Sequence, residues 1–136
     1  MKALSIRAPW WFAILHFGKD IENRTWATNF RGTVYLHAGK WFEREEVAWD
    51  LEDIHEMRLQ ATGNDGALHV PLDAVRAAGG CIVGMVDVVD CVTQSKSPWF
   101  VGAYGFVLRN PIALPKPIPF KGALGFFEVP DGVVKL

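Results

Sequence analysis

Cysteine is scarce in this 136-residue chain, with two in all, Cys81 and Cys91. The run between them, Ile82 to Asp90, is β-branched and reads as a strand. Ten strand steps of about 3.3 Å would hold the two Cα atoms about 33 Å apart. A disulfide needs them within about 7 Å, so two free thiols are expected. Met1 to Arg7 also lacks the apolar core of a signal peptide. Together these features point to a cytoplasmic chain. Neither cysteine has a partner at metal-ligand spacing, and His16, His37, His55 and His69 are scattered. The sequence therefore implies no metal site and no cofactor. No apolar run approaches the roughly 20 residues of a membrane-spanning helix, so no membrane partner is expected. Charged residues make up only 21% while half the chain is hydrophobic, which excludes a disordered polyelectrolyte. The net charge of −1 excludes a surface coated in basic residues for non-specific polyanion binding.

The length suits one domain over 1–136, with room for one core. Its charges are unevenly spread. Residues 1–41 hold six basic and two acidic residues, 42–91 three and eleven, and 92–136 five and two, giving +4, −8 and +3. If the ends meet in space, they can form a basic surface facing away from an acidic middle. The plainer alternative is that both sets are solvated and mixed.

Hydrophobic periodicity outlines the elements. Lys2 to Ile6 reads as a strand, and residues 9–17 as a helix apolar nearly all round and so largely buried. Pro9 suits that helix's first turn and Gly18 its left-handed end. Lys19 to Trp26 alternates as a strand, with Ile21, Asn23 and Thr25 on one side and Glu22, Arg24 and Trp26 on the other. Thr33 to Ala38 is a further strand. Residues 41–59 form a helix with Val47, Leu51, Ile54 and Arg58 on one stripe and Glu43, Glu46, Asp50 and Asp53 on another. Pro71 to Ala78 suits a short helix closed by Gly79. Cys81–Val92, Gly105–Arg109 and Phe126–Val129 read as strands, and Pro111, Pro115, Pro117 and Pro119 punctuate the chain after the second of these. Five or six strands with two to three flanking helices indicate an α+β domain built on a small β-barrel.

The stretch with most chemistry is Gly18 to Trp26. Lys19 starts a strand on which Glu22, Arg24 and Trp26 share a face. The Arg fork suits phosphate or carboxylate. A base can stack on the Trp or the guanidinium. A Lys beside a Glu can also serve as an acid–base pair if burial shifts its pKa. A plain Glu–Arg surface pair accounts for the same residues.

The sequence resembles the ASCH domain family of the PUA-like superfamily. The core Lys-x-x-Glu-x-Arg is intact as Lys19, Glu22 and Arg24, although the family's preceding Gly-x-Lys is here Gly18-Lys19, one residue shorter. Flanking matches are Leu4-Ser5-Ile6-Arg7-Ala8-Pro9-Trp10, Arg31-Gly32, His37-Ala38-Gly39-Lys40 and Pro117-Ile118-Pro119-Phe120-Lys121-Gly122. The resemblance implies a PUA-like β-barrel with a basic cleft lined by the signature, binding RNA or a nucleotide. Arg7, Arg24 and Lys121 would hold phosphate or base edges there, Lys40 would reach phosphate, Trp26 would stack, and Lys19 and Glu22 would form a polar floor. Some bacterial members resemble small amidohydrolases of acetylated cytidine. That implies an alternative enzyme, hydrolysing a modified nucleoside or acting as a ribonuclease, in which Lys19 is the catalytic nucleophile or base and Glu22 carries the proton. Glu22 stands where those members have Thr, and their distant Glu has no clear counterpart, Asp87 and Asp90 being the nearest candidates on the later strand.

Among the remaining residues, Trp10 and Trp11 point about 100° apart on a helix, so at least one faces the core. Lys40 and Lys121 flank glycines, where backbone can approach a ligand closely. His37 has no sequence neighbour that would make it a base and reads as structural. Ser5 would need a base beside it to act as a nucleophile, and the sequence offers none. The acidic face of the long helix reads as a solvated surface, with partner binding as the other use for it.

Overall fold

The computed structural model describes residues 1–40 and 44–135. The elements run β1 (Lys2–Ile6), α1 (Trp10–His16), β2 (Ile21–Arg24), β3 (Gly32–Ala38), α2 (Arg44–Thr62), α3 (Leu72–Ala77), β4 (Cys81–Val92), β5 (Tyr104–Pro119) and β6 (Phe126–Glu128). The six strands form one sheet in the order β2-β5-β4-β3-β1-β6. All neighbours are antiparallel except β1 and β3, which are parallel and joined through α1 and β2.

The sheet curls into a half-barrel, and its two end strands approach through side chains. Trp26, just past β2, meets Phe126 of β6 edge-on at 5.8 Å between centroids. Arg24 Nη2 on β2 donates to the Ser5 carbonyl on β1 at 2.8 Å. This α+β architecture fits a PUA-like barrel. Alternation supplies the core: Leu4, Ile6, Val34, Leu36, Phe106 and Leu108 are buried in one cluster, closed by Trp11 and Ile14 of α1. Both cysteines are free thiols, as their spacing requires.

α2 seats the stripe read from its sequence. Val47, Ile54 and Arg58 are buried, and the Arg58 guanidinium lies 5.7 Å from the Phe17 ring centroid. Glu43, counted on its acidic stripe, lies outside the described residues. After α3, Ala78 caps the helix and Gly80, rather than Gly79, takes the left-handed conformation at φ 82°.

The largest departure from the periodicity is β5. Its sequence suggests a strand ending at Arg109, yet it continues to Pro119. Beyond Leu108, whose N–H still donates to the Asp20 carbonyl at 2.9 Å, it has lost β2 and pairs with β4 alone. A one-sided strand leaves proline without a lost ladder bond. The register also slips: Ile82 pairs with Ile118 and Gly84 with Ala113, so two steps on β4 answer five on β5. Pro115 and Pro117 fall inside that slip.

Candidate functional site

The site begins where α1 ends. Gly18 takes φ 73°, a left-handed turn that L side chains resist, and the chain reverses so that Lys19 N–H donates to the Ala13 carbonyl at 3.2 Å. This drives the Lys19 side chain under the helix, where the residue is 3% exposed. Its Nζ donates to the Ile21 carbonyl and to Glu22 Oε1, the latter at 3.5 Å, and lies 5.5 Å from the Trp10 ring centroid. Burial penalises the ammonium and lowers the Lys19 pKa; the charges of Glu22 and Asp20 oppose this and that of Arg24 adds to it.

Glu22 is also buried and is gripped from both sides. Oε1 faces Lys19, while Oε2 accepts from Arg24 Nε at 3.1 Å and pairs with Nη2 at 3.0 Å. Arg24 is braced in turn by the Ser5 carbonyl and by the Trp26 ring, whose centroid is 5.9 Å away. The signature is therefore a chain of alternating charges, and each member fixes the next.

These residues floor a cavity of about 460 Å³, with Trp10 and Arg7 also lining it and Val101 at its edge. Arg7 pairs with Asp50 of α2 at 3.0 Å. Burial raises the Asp50 pKa, and the Arg7 charge and hydrogen bonding from the Trp10 side chain oppose that shift. Across the opening, Asn23 donates to the Trp99 carbonyl at 2.9 Å and accepts from Val101 N–H at 3.0 Å and Gly102 N–H at 3.2 Å. It thereby pins the loop that carries Val101, itself 66% exposed.

Of the residues singled out in the sequence, Arg7, Lys19, Glu22 and Arg24 come together around this cavity. Trp26, Lys40 and Lys121 are not among its lining residues. Trp26 packs edge-on against Phe106 at 5.2 Å and against Phe126, Lys40 is exposed after β3, and Lys121 is exposed between β5 and β6. Asp87 bonds Thr33 and Asn110, and Asp90 pairs with Arg31, so neither carboxylate turns to Lys19. Sequence reasoning missed Trp10 as the aromatic wall, Asn23 as the loop's anchor and Asp50 as the partner of the rim. Trp10 was visible only as one of two adjacent tryptophans, and Asp50 only as one acid of a charged helix.

Ser5 does have an imidazole beside it, contrary to the sequence reading: its Oγ lies 3.1 Å from His37 Nδ1. His37 Nε2 lies 2.6 Å from the Phe120 carbonyl, which can only accept, so Nε2 carries a proton. His37 is buried and joins β1, β3 and the loop after β5, in keeping with its structural reading.

Among the described residues, no group of three or more His, Cys, Asp or Glu side chains could hold a metal ion, and no helix is long and apolar enough to cross a membrane. A family model, the ASCH domain, matches residues 4–103. Activating signal cointegrator 1 of Mus musculus is 29% identical over 133 residues, which is 88% of this chain and 20% of that protein. The Homo sapiens protein of the same name matches at the same identity and coverage. The chain thus spans about a fifth of the length of the curated relatives it matches. With the family model covering most of its length and the Lys-x-x-Glu-x-Arg signature lining one cavity, this chain belongs to the ASCH domain family.

Proposed function

We propose that this chain binds RNA, or a nucleotide-sized piece of it, in the cavity floored by Lys19, Glu22 and Arg24. The observation that carries the reading is the convergence of those three residues with Arg7 and Trp10 around one opening. A planar base finds an aromatic face in Trp10. Lys19 as donor and Glu22 as acceptor offer hydrogen bonds to a base edge. Arg7 at the mouth suits a phosphate. The family resemblance implies nucleic-acid association as well.

A second reading is favoured by one specific observation, the burial of Lys19, which lowers its pKa against the opposing charge of Glu22. An amine that gives up its proton more readily is better suited to act as a base or nucleophile. As a base, Lys19 would take a proton from water, the resulting hydroxide would attack the acyl carbon of a modified nucleoside, and the C–N bond would break. Glu22, which Lys19 bonds, would carry that proton on to the leaving amine.

One experiment separates the two. Wild type and Lys19→Ala are titrated with short single-stranded RNA at low salt and incubated with N4-acetylcytidine and with the same RNA. Binding without turnover, weakened about tenfold or more by Lys19→Ala, supports the reader. Turnover abolished by the substitution supports the enzyme. RNA binding that Lys19→Ala leaves unchanged, with no turnover, removes both.

A further inference from the structure

Asp50, on α2, bonds to the lining of the signature cavity through Arg7. The lining itself comes from β1, α1, β2, the turns that join them and the loop before β5. Its carboxylate holds two donors of different kinds. The Trp10 side chain, whose polar group is the indole N–H, is neutral, and the Arg7 guanidinium is charged. Asp50 itself is well covered, its side chain 13% exposed against 48% for Arg7.

These two bonds respond differently to an anionic ligand. A half-exposed ion pair is weak, because water screens it. A phosphate offers more charge and more acceptor oxygens than a carboxylate and competes for the same guanidinium. The indole N–H carries no charge, so a phosphate gains less by taking it from Asp50 than by taking the guanidinium.

We propose that Asp50 is a positioning residue and a built-in competitor at the mouth of the cavity. It fixes the Trp10 ring as the stacking wall and occupies Arg7 until a ligand phosphate displaces it. This rests on the nucleotide reading above and sharpens it. The cavity takes a nucleoside carrying a phosphate, with the ring on Trp10 and the phosphate on the Arg7 side, and α2 sets how strongly the phosphate counts.

The test compares wild type, Asp50→Asn and Asp50→Ala with the four ribonucleosides and their 5′-monophosphates as probes, alongside the indole N–H resonances of ¹⁵N-labelled protein. Trp10→Phe assigns the Trp10 resonance. Asparagine keeps an acceptor for the indole but gives up the charge. Asp50→Asn is therefore expected to raise the ratio of monophosphate to nucleoside affinity by about two- to fivefold, the worth of a partly exposed ion pair. Its Trp10 resonance stays near the wild-type position. Asp50→Ala is expected to move that resonance upfield and to weaken nucleoside binding by about three- to tenfold, the loss of one hydrogen bond to the stacking wall. An unchanged affinity ratio in Asp50→Asn overturns the competition. A Trp10 resonance unmoved in Asp50→Ala overturns the positioning. If no probe binds any form, the nucleotide reading fails and the competition falls with it, while the resonance still decides whether Asp50 positions Trp10.

Discussion

Lys19 is where burial and charge meet most directly. Its ammonium is enclosed by Trp10 and the α1 turn and is offset by Glu22. Desolvation still dominates, so its folded-state pKa lies below the ordinary lysine value of 10.5. The consequence for stability has a definite sign. Below the lowered pKa both folded and unfolded chains carry the proton, and the folded state bears the full cost of the buried charge. Between the lowered pKa and 10.5 the unfolded chain binds more protons, so the Lys19 contribution to stability rises with pH across that window. Lys19→Met keeps a chain of similar length without a titrating group. The stability of the parent minus that of Lys19→Met, from urea denaturation at stepped pH, is expected to climb through the window and level off above it. A flat difference would mean that the lysine is not desolvated. The Lys19, Glu22 and Arg24 grouping was legible in the sequence because a strand puts alternate residues on one face. Trp10, Asn23 and Asp50 were not, because what each touches depends on segments far away in sequence.

The elements show a similar division. β1 and β3 were legible as short alternating runs, and α1 and β4 as an apolar and a β-branched run with marked ends. Proline hid β5, since the ladder bond it forgoes matters only if a second neighbour is present, and that depends on where β2 stops. The loop between β5 and β6 was opaque too, although Pro117 to Gly122 is one of the family-like motifs. Its constraint is steric. A Cβ on Gly122 would stand 2.7 Å from His37 Cε1, and that ring is held by Ser5 on one side and the Phe120 carbonyl on the other. A clamped ring yields only by breaking a hydrogen bond. Gly122→Ala is therefore expected to destabilise the fold by about 1–3 kcal/mol, the range for overpacking, read as a lower denaturation midpoint. In a His37→Ala background the same change should cost much less, because the obstructing atoms are gone. Equal costs in both backgrounds would place the constraint elsewhere.

At the scale of the whole molecule, the uneven charges acquire a geometry. The basic ends do meet: β1 pairs with β6, and Lys2 bonds Glu128 across them at 2.9 Å. The acidic middle does not simply face away, because Asp50 reaches back to the rim. Around the cavity, among the described residues, Arg7, Lys19 and Arg24 stand against Glu22 and Asp50, a local surplus of at most one positive charge. The basic residues that gave the ends their +7 are mostly elsewhere, Lys40 and Lys121 among them. That balance predicts how RNA binding depends on salt. A single strand releases about 0.7 counterion per phosphate neutralised. With Arg7 as the exchangeable cation and the braced Arg24 as a second, one or two phosphates are neutralised. The slope of log K against log salt should then be about −1. Neutralisation by the basic ends acting together would engage several phosphates and give a slope of about −4 or steeper. A titration of short single-stranded RNA across a salt series measures this directly. The shallow slope is the signature of one enclosed site, and the steep one would move binding from the cavity to the open basic surface.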